Sequence, residues 1–246
     1  MTEVRVFEDL DALSRAAADE VVRIARAAVA ARGSCAIALS GGSTPTRLFD
    51  VLAQRGRSAA PWDQIELWWV DERTVAPDHP DSNYGIARAH LIDPLALDPA
   101  RVHRMAGERT DPDAAARKYE DELTAALGAP PVFDLVLLGM GADGHTASLF
   151  PGSPALTERT HFVVANPVVS PLAGGTTTRI TLTASALSAA RHVRFLVAGA
   201  DKAQTLAAIL AGPRDRYPAQ LVEGPDVVWL VDRAAAAAAH REDPQS

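Results

Sequence analysis

The chain has 246 residues, of which 48% are hydrophobic and 22% charged; this balance excludes wholesale disorder, and the length is enough to bury a core without a disulfide or metal staple. Net charge is −7, from 24 Lys and Arg against 31 Asp and Glu, which argues against a basic nucleic-acid-binding face and leaves room for an anionic ligand only where a few cations are focused. Cys35 is the single cysteine, so an intrachain disulfide framework and a multi-cysteine zinc site are excluded.

The first residues, Met1 to Asp11, are charged and carry no apolar signal segment. Val4–Phe7 reads as a short strand. Asp9–Arg32 repeats apolar residues at helical spacing, with Gly33 as C-cap. Cys35–Leu39 is a buried-strand run. Thr44 and Pro45 read as N-cap and first turn of a helix that ends near Arg55. Ile65–Val70 is a strand, and Asn83–Ile92 a helix closed by Asp93-Pro94. Asp111-Pro112 opens a helix to Leu127. Further strands are predicted at Phe133–Leu138, Phe162–Ala165, Arg179–Leu182, Val193–Ala198 and Val227–Val231. Helices are predicted at Ala184–Ala190, Lys202–Leu210 and Arg233–Arg241. The longest stretch free of Asp, Glu, Lys and Arg, Thr160 to Thr178, holds Pro167, Pro171 and Gly174-Gly175 and cannot be a membrane helix. Its part Asn166–Thr178 reads as a long loop over the sheet. Apolar strands alternating with helices imply a mostly parallel sheet covered on both faces, and no linker divides the chain, so residues 1–246 are expected to form a single α/β domain.

Ligands of open α/β sheets bind beyond the carboxyl ends of strands, and several of those ends carry unusual residues. Ser40, Gly41, Gly42, Ser43 and Thr44 join a strand to a helix. The glycines admit close backbone approach, and the helix N-terminus suits a phosphate, although the Lys of a Walker loop is missing. The same residues also serve a plain capped turn. Asp71-Glu72-Arg73 ends the next strand. It reads either as a solvated turn or as an arginine facing an anion beside carboxylates that orient it or handle a proton. Asp78, Asp81, Ser82, Asn83 and Tyr84 follow in a loop able to wall the site.

Gly139-Met140-Gly141-Ala142-Asp143-Gly144-His145 formally matches the dinucleotide fingerprint, but Asp143 and His145 crowd the turn and Pro151, Gly152 and Pro154 break the helix that fingerprint requires. A histidine at that turn is suited to acid–base work, since imidazole has an ordinary pKa of about 6.5; a structural cap is the alternative. Arg179 and Lys202 stand at strand-to-loop positions and add positive charge. No histidine pair has metal-ligand spacing, so no metal site is expected.

Taken together, Leu39–Pro45 (LSGGSTP), Val70–Arg73 (VDER), Gly139–Gly152 (GMGADGHTASLFPG), Arg179–Thr183 (RITLT) and the Lys202 region resemble the 6-phosphogluconolactonase family, within a superfamily shared with glucosamine-6-phosphate isomerases and deaminases. The resemblance implies a modified Rossmann-like fold. It implies hydrolysis of 6-phospho-D-glucono-1,5-lactone to 6-phospho-D-gluconate in the oxidative pentose phosphate pathway, with no cofactor. On this reading His145 activates water and Asp143 orients the imidazole or the loop, while Asp71 is the runner-up base. N–H groups of the turn from Gly141 to Gly144 stabilise the oxyanion. Ser43, Thr44, Arg179 and Lys202 hold the phosphate, and Arg73 contacts the phosphate or a sugar oxygen.

Deaminases of the superfamily typically read IAFNEP where this chain has Thr146–Pro151, and tend to have an aromatic residue at the position of Arg73. A sugar-phosphate isomerase or deaminase is the second reading, and a non-catalytic sugar-phosphate sensor the third. The partner expected is a small phosphosugar lactone, with neither nucleic acid nor membrane. The expected location is the cytoplasm, and the expected state a monomer or weak homodimer.

Overall fold

A computed structural model describes residues 3–170, 175–213 and 216–239. The chain runs β1 (Glu3–Phe7), α1 (Leu10–Arg32), β2 (Cys35–Leu39), α2 (Ser43–Arg55), β3 (Ile65–Trp69), β4 (Asp71–Arg73), α3 (Asn83–Ala87), α4 (Pro112–Leu127), β5 (Leu135–Leu138), β6 (Val163–Ser170), β7 (Gly175–Leu182), α5 (Ala184–Ser188), β8 (Val193–Val197), α6 (Ala203–Ala211), β9 (Val227–Asp232) and α7 (Arg233–Ala236). Six strands form a parallel sheet in the order β1-β9-β8-β5-β2-β3, with helices on both faces. The predicted α/β class and its parallel sheet are therefore observed. Strands β2, β5 and β8 are buried from end to end, as their continuous apolar runs require.

Local chemistry accounts for the helix boundaries. The Asp9 side chain accepts from the N–H of Ala12, and Gly33 closes α1 at φ +80°, a left-handed conformation that glycine adopts without strain. Asp111 caps α4 in the same manner, with Pro112 in its first turn.

Three expectations are corrected. The run Ile65–Val70 does not continue as one strand; at Val70 the chain passes into a second, three-stranded antiparallel sheet of order β4-β7-β6. Val70 itself links the two sheets, donating to Leu39 O at 2.9 Å and accepting from Leu182 N at 2.8 Å. Asp71-Glu72-Arg73 is thus a paired strand and not a solvated turn. Secondly, Asn166–Thr178 is not a loop over the sheet. Its described residues extend β6 and β7, which pair from Val163↔Leu182 to Ser170↔Gly175. Pro167 is tolerated because β6 is an edge strand, and Thr176, Thr177 and Thr178 suit a pleated surface. Residues 171–174 lie outside the described residues.

Thirdly, several helices differ in extent. The helix expected over Asn83–Ile92 is α-helical only to Ala87 and continues as a π-type turn, Arg88–Ile92. The last helix spans Arg233–Ala236, and the predicted end at Arg241 lies outside the described residues. Among the described residues no helix is long and apolar enough to cross a membrane.

Candidate active site

The carboxyl ends of β2, β5 and β8, together with β4 and β7, surround a cavity of about 670 Å³. After β2 the chain turns through Gly41 and Gly42 into α2. The N-cap is Gly42, at φ +99°, and not Thr44; no side chain caps the helix. The first-turn N–H groups of Ser43 and Thr44 therefore have no intrahelical acceptor, and both hydroxyls are left unused by capping. Ser40 is different: its hydroxyl donates to Leu137 O at 2.7 Å, tying β2 to β5, so the expected ligand donor is already engaged.

Gly41 is required by its neighbour, since a Cβ there would lie 1.8 Å from Asn83 Oδ1. Asn83, only 1% exposed, donates through Nδ2 to Asp71 O at 2.9 Å and to Asp71 Oδ1 at 3.1 Å. The other Asp71 oxygen accepts from Ser148 Oγ at 2.6 Å. Both oxygens of the expected runner-up base are thus held by buried donors.

Glu72, one position on, faces away from these groups and anchors the loop that follows. It accepts from the N–H groups of Arg73, Asn83 and Tyr84 at 2.7, 2.8 and 2.8 Å, and from Ser82 Oγ at 3.0 Å. Burial pushes its carboxyl pKa up, and those N–H groups oppose the rise.

In the sheet register Arg73 stands opposite Arg179. Arg73 donates to Asp81 O through Nη1, while its Nε is buried without a partner. Arg179 is 9% exposed and has no hydrogen bond or ion pair to any described residue. Burial, reinforced by the Arg73 guanidinium, pushes its pKa below the ordinary value, against the opposing charges of Asp71 and Glu72. A cation so placed is uncompensated without an anion beside it. Lys202 lies across the cavity at the start of α6, with Nζ on the exposed carboxylate of Asp201. Asp201 does not cap α6, contrary to the sequence reading; it serves as the counter-ion of Lys202.

The turn after β5 carries the titratable pair. His145 Nδ1 lies 2.5 Å from Asp143 Oδ1, and the His145 N–H donates to the same oxygen at 3.1 Å. Burial would raise the Asp143 pKa, but the hydrogen bond and charge of His145 outweigh it and hold the carboxyl below its ordinary value. His145 Nε2 has no partner among the described residues.

The two glycines of this turn act differently from expectation. Gly141 N–H donates to His145 O at 2.9 Å and Gly144 N–H to Gly141 O at 3.0 Å. Neither is free to meet an oxyanion; within the turn only the Ala142 N–H is left without a described acceptor. Gly144 is needed for its φ of +79° and because a Cβ would press on the Tyr217 ring at 2.5 Å.

The structure thus brings Ser43, Thr44, Asp71, Arg73, Asp143, His145, Arg179 and Lys202 to one cavity. Sequence reasoning left Phe150, Ser148 and Asp201 without a role. Phe150 and Ser148 lie inside the motif that carried the resemblance, but nothing local in the sequence marks what they touch.

Fold and cavity together define an α/β protein of the modified Rossmann type, with charged and titratable groups converging beyond the carboxyl ends of its strands. Residues 8–229 match the family of glucosamine-6-phosphate isomerases/6-phosphogluconolactonase, and the chain belongs to that family. It is 42% identical over 231 residues to a 6-phosphogluconolactonase of Synechocystis sp., covering 91% of this chain and 92% of the relative. It is 39% identical to that of Nostoc sp. over 242 residues, covering 95% and 97%. The solved 6-phosphogluconolactonase of Trypanosoma cruzi superposes with a TM-score of 0.83 at 30% identity, covering 96% of both chains.

Proposed function

We propose that the protein hydrolyses 6-phospho-D-glucono-1,5-lactone to 6-phospho-D-gluconate, the lactone-opening step of the oxidative pentose phosphate pathway. The observation that carries the mechanism is the Asp143–His145 pair, with Nδ1 engaged and Nε2 without a partner among the described residues, in the same cavity as the unpaired Arg179. The identity with lactonases over nearly the whole chain supports the substrate.

Arg179, Lys202 and the first-turn N–H groups of Ser43 and Thr44 bind the phosphate, and Lys202 exchanges Asp201 for it. Arg73 adds positive field beside Arg179. Holding the phosphate fixes C1 of the lactone near His145, so binding at the remote end lowers the barrier at the reacting end. His145 Nε2 takes a proton from water as the water oxygen bonds to C1. The carbonyl oxygen becomes an oxyanion, met by the Ala142 N–H. Collapse of this intermediate breaks the bond from C1 to the ring oxygen, which receives the proton held on Nε2. Asp143 stabilises the imidazolium between these transfers. Asp71, with both oxygens accepting hydrogen bonds, is a fixed negative charge near Arg179 and not the base.

The test is lactone hydrolysis by the purified protein against the spontaneous rate, with EDTA present. Hydrolysis well above the spontaneous rate is expected, and H145A lowers kcat by about 10²–10⁴-fold. No acceleration over the spontaneous rate, or ammonia release from glucosamine 6-phosphate instead, would overturn the reading.

A further inference from the structure

His145 is the end of a short reversal of the chain, and that reversal brings a second ring to it. Thr146 and Leu149 form an antiparallel bridge, with Leu149 N–H donating to Thr146 O at 2.9 Å. Ala147 makes the turn at φ +47°, the left-handed region that a residue with a Cβ enters only under constraint. The constraint is visible around it. Thr146 Oγ1 donates to Gly139 O at 2.8 Å, and Ser148 is fixed through Oγ to Asp71, through N–H to Thr181 Oγ1 at 3.2 Å, and through its carbonyl by Asn166 Nδ2 at 2.7 Å. The product of the turn is that Phe150 stacks on the His145 imidazole, with ring centroids 4.2 Å apart and planes inclined by 23°. Gly141 closes in from another side: a Cβ there would lie 2.1 Å from both Nδ1 and Cε1 of the imidazole.

The hydrogen bond to Asp143 restrains one ring atom, yet by itself it leaves the imidazole free to tilt about that contact. The aromatic face removes this freedom. We propose that Phe150 is a positioning residue for the reaction: its ring sets the tilt of the His145 imidazole, keeps the Nδ1–Asp143 bond aligned, and so aims Nε2 at the lactone carbonyl. Phe150 touches no reacting atom in this scheme; it acts through His145. An offset aromatic contact of this kind is modest in energy, but general-base catalysis depends on placement within a fraction of an ångström. The inference rests on the reading of His145 as the base.

Three variants test it: F150L, which keeps apolar bulk without a ring face; F150Y, which keeps the ring; and H145A. Each is assayed for kcat and KM on the lactone and for affinity to 6-phosphogluconate by calorimetry. The Nδ1 proton of His145 is followed as a low-field resonance by NMR. F150L is expected to lower kcat by about 10- to 100-fold while leaving KM and product affinity essentially unchanged, and to broaden or abolish the low-field resonance. F150Y is expected to restore both kcat and the resonance. Wild-type kcat and an intact resonance in F150L would overturn the proposal, as would a loss of product affinity that matches the loss of kcat, because either result makes Phe150 mere packing. An inactive H145A beside a fully active F150L removes this inference alone, whereas a fully active H145A removes the assignment of the base itself.

Discussion

The parallel sheet bears a cavity at each end: about 670 Å³ beyond the carboxyl ends of its strands and about 660 Å³ at their amino ends. Size does not separate them, but pairing of charge does. At the amino end Arg32 and Arg191 both lie on Asp134, at 2.5 and 3.4 Å, and His103 lies on Glu66 at 2.8 Å while stacking on Trp68. The charged groups lining that cavity meet within the protein. At the carboxyl end Arg179 has no partner among the described residues, Arg73 Nε is buried and unpaired, and Lys202 has only the exposed Asp201. Charges that neutralise one another hold strand ends together; charges left uncompensated on a rigid frame are available to a ligand.

The largest effect that would test this contrast lies at the amino end. Arg194, in β8, is 2% exposed and joins Glu20 of α1 at 2.9 Å to Asp226 at 2.7 Å. R194A leaves two carboxylates without their shared cation, and should destabilise the fold by about 3–5 kcal/mol in denaturant unfolding. The specific activity of the folded fraction should be unchanged. A large loss of activity per folded molecule would erase the division of labour between the two ends.

At the carboxyl end R179A should weaken 6-phosphogluconate binding by about 1.5–3 kcal/mol in calorimetry, the loss of a charged hydrogen bond, with no loss of stability, since the arginine has no partner among the described residues. Its counterpart R32A should leave kcat, KM and product affinity unchanged and cost at most about 1 kcal/mol of stability, because Arg32 is largely exposed. If both variants weaken binding alike, the contrast between the cavities fails.

The smallest effect is an acid response. Burial of Glu20 favours its neutral form, but hydrogen bonds from Arg23 and Arg194 prevail and lower its pKa from 4.5 to about 2. A carboxyl with a depressed folded-state pKa stabilises the protein above its unfolded pKa, and that contribution is lost as pH falls from 4.5 toward about 2. E20Q should therefore show a shallower loss of melting temperature than wild type across that range. Identical slopes would remove Glu20 from the structural ion network.

Much of the scaffold was legible because its signals are local. The apolar runs of β2, β5 and β8, the Asp9 and Asp111 caps and the glycine closing α1 each depend on residues within a few positions of one another. The site was legible as a set of residues but not as a set of roles. Gly141 and Gly144 read as oxyanion donors, yet their N–H groups close their own turn. Ser40 read as a ligand donor, yet its hydroxyl is tied to β5. Asn166–Thr178 read as a loop because Pro167 counts against a strand, and only the sheet order reveals that its strand is an edge.

By itself the sequence determined the α/β class, the main elements, and which residues gather at the carboxyl ends of the strands, because periodicity and capping act over one or two turns of chain. Tertiary structure alone decided which of those residues are already occupied. Asp71 is held by Ser148 from 77 positions away, Arg73 meets Arg179 only through the β4–β7 register, and Arg179 is unpaired only because nothing packed near it carries a partner. Such pairings depend on distances in the folded chain, and no local pattern of residues encodes them.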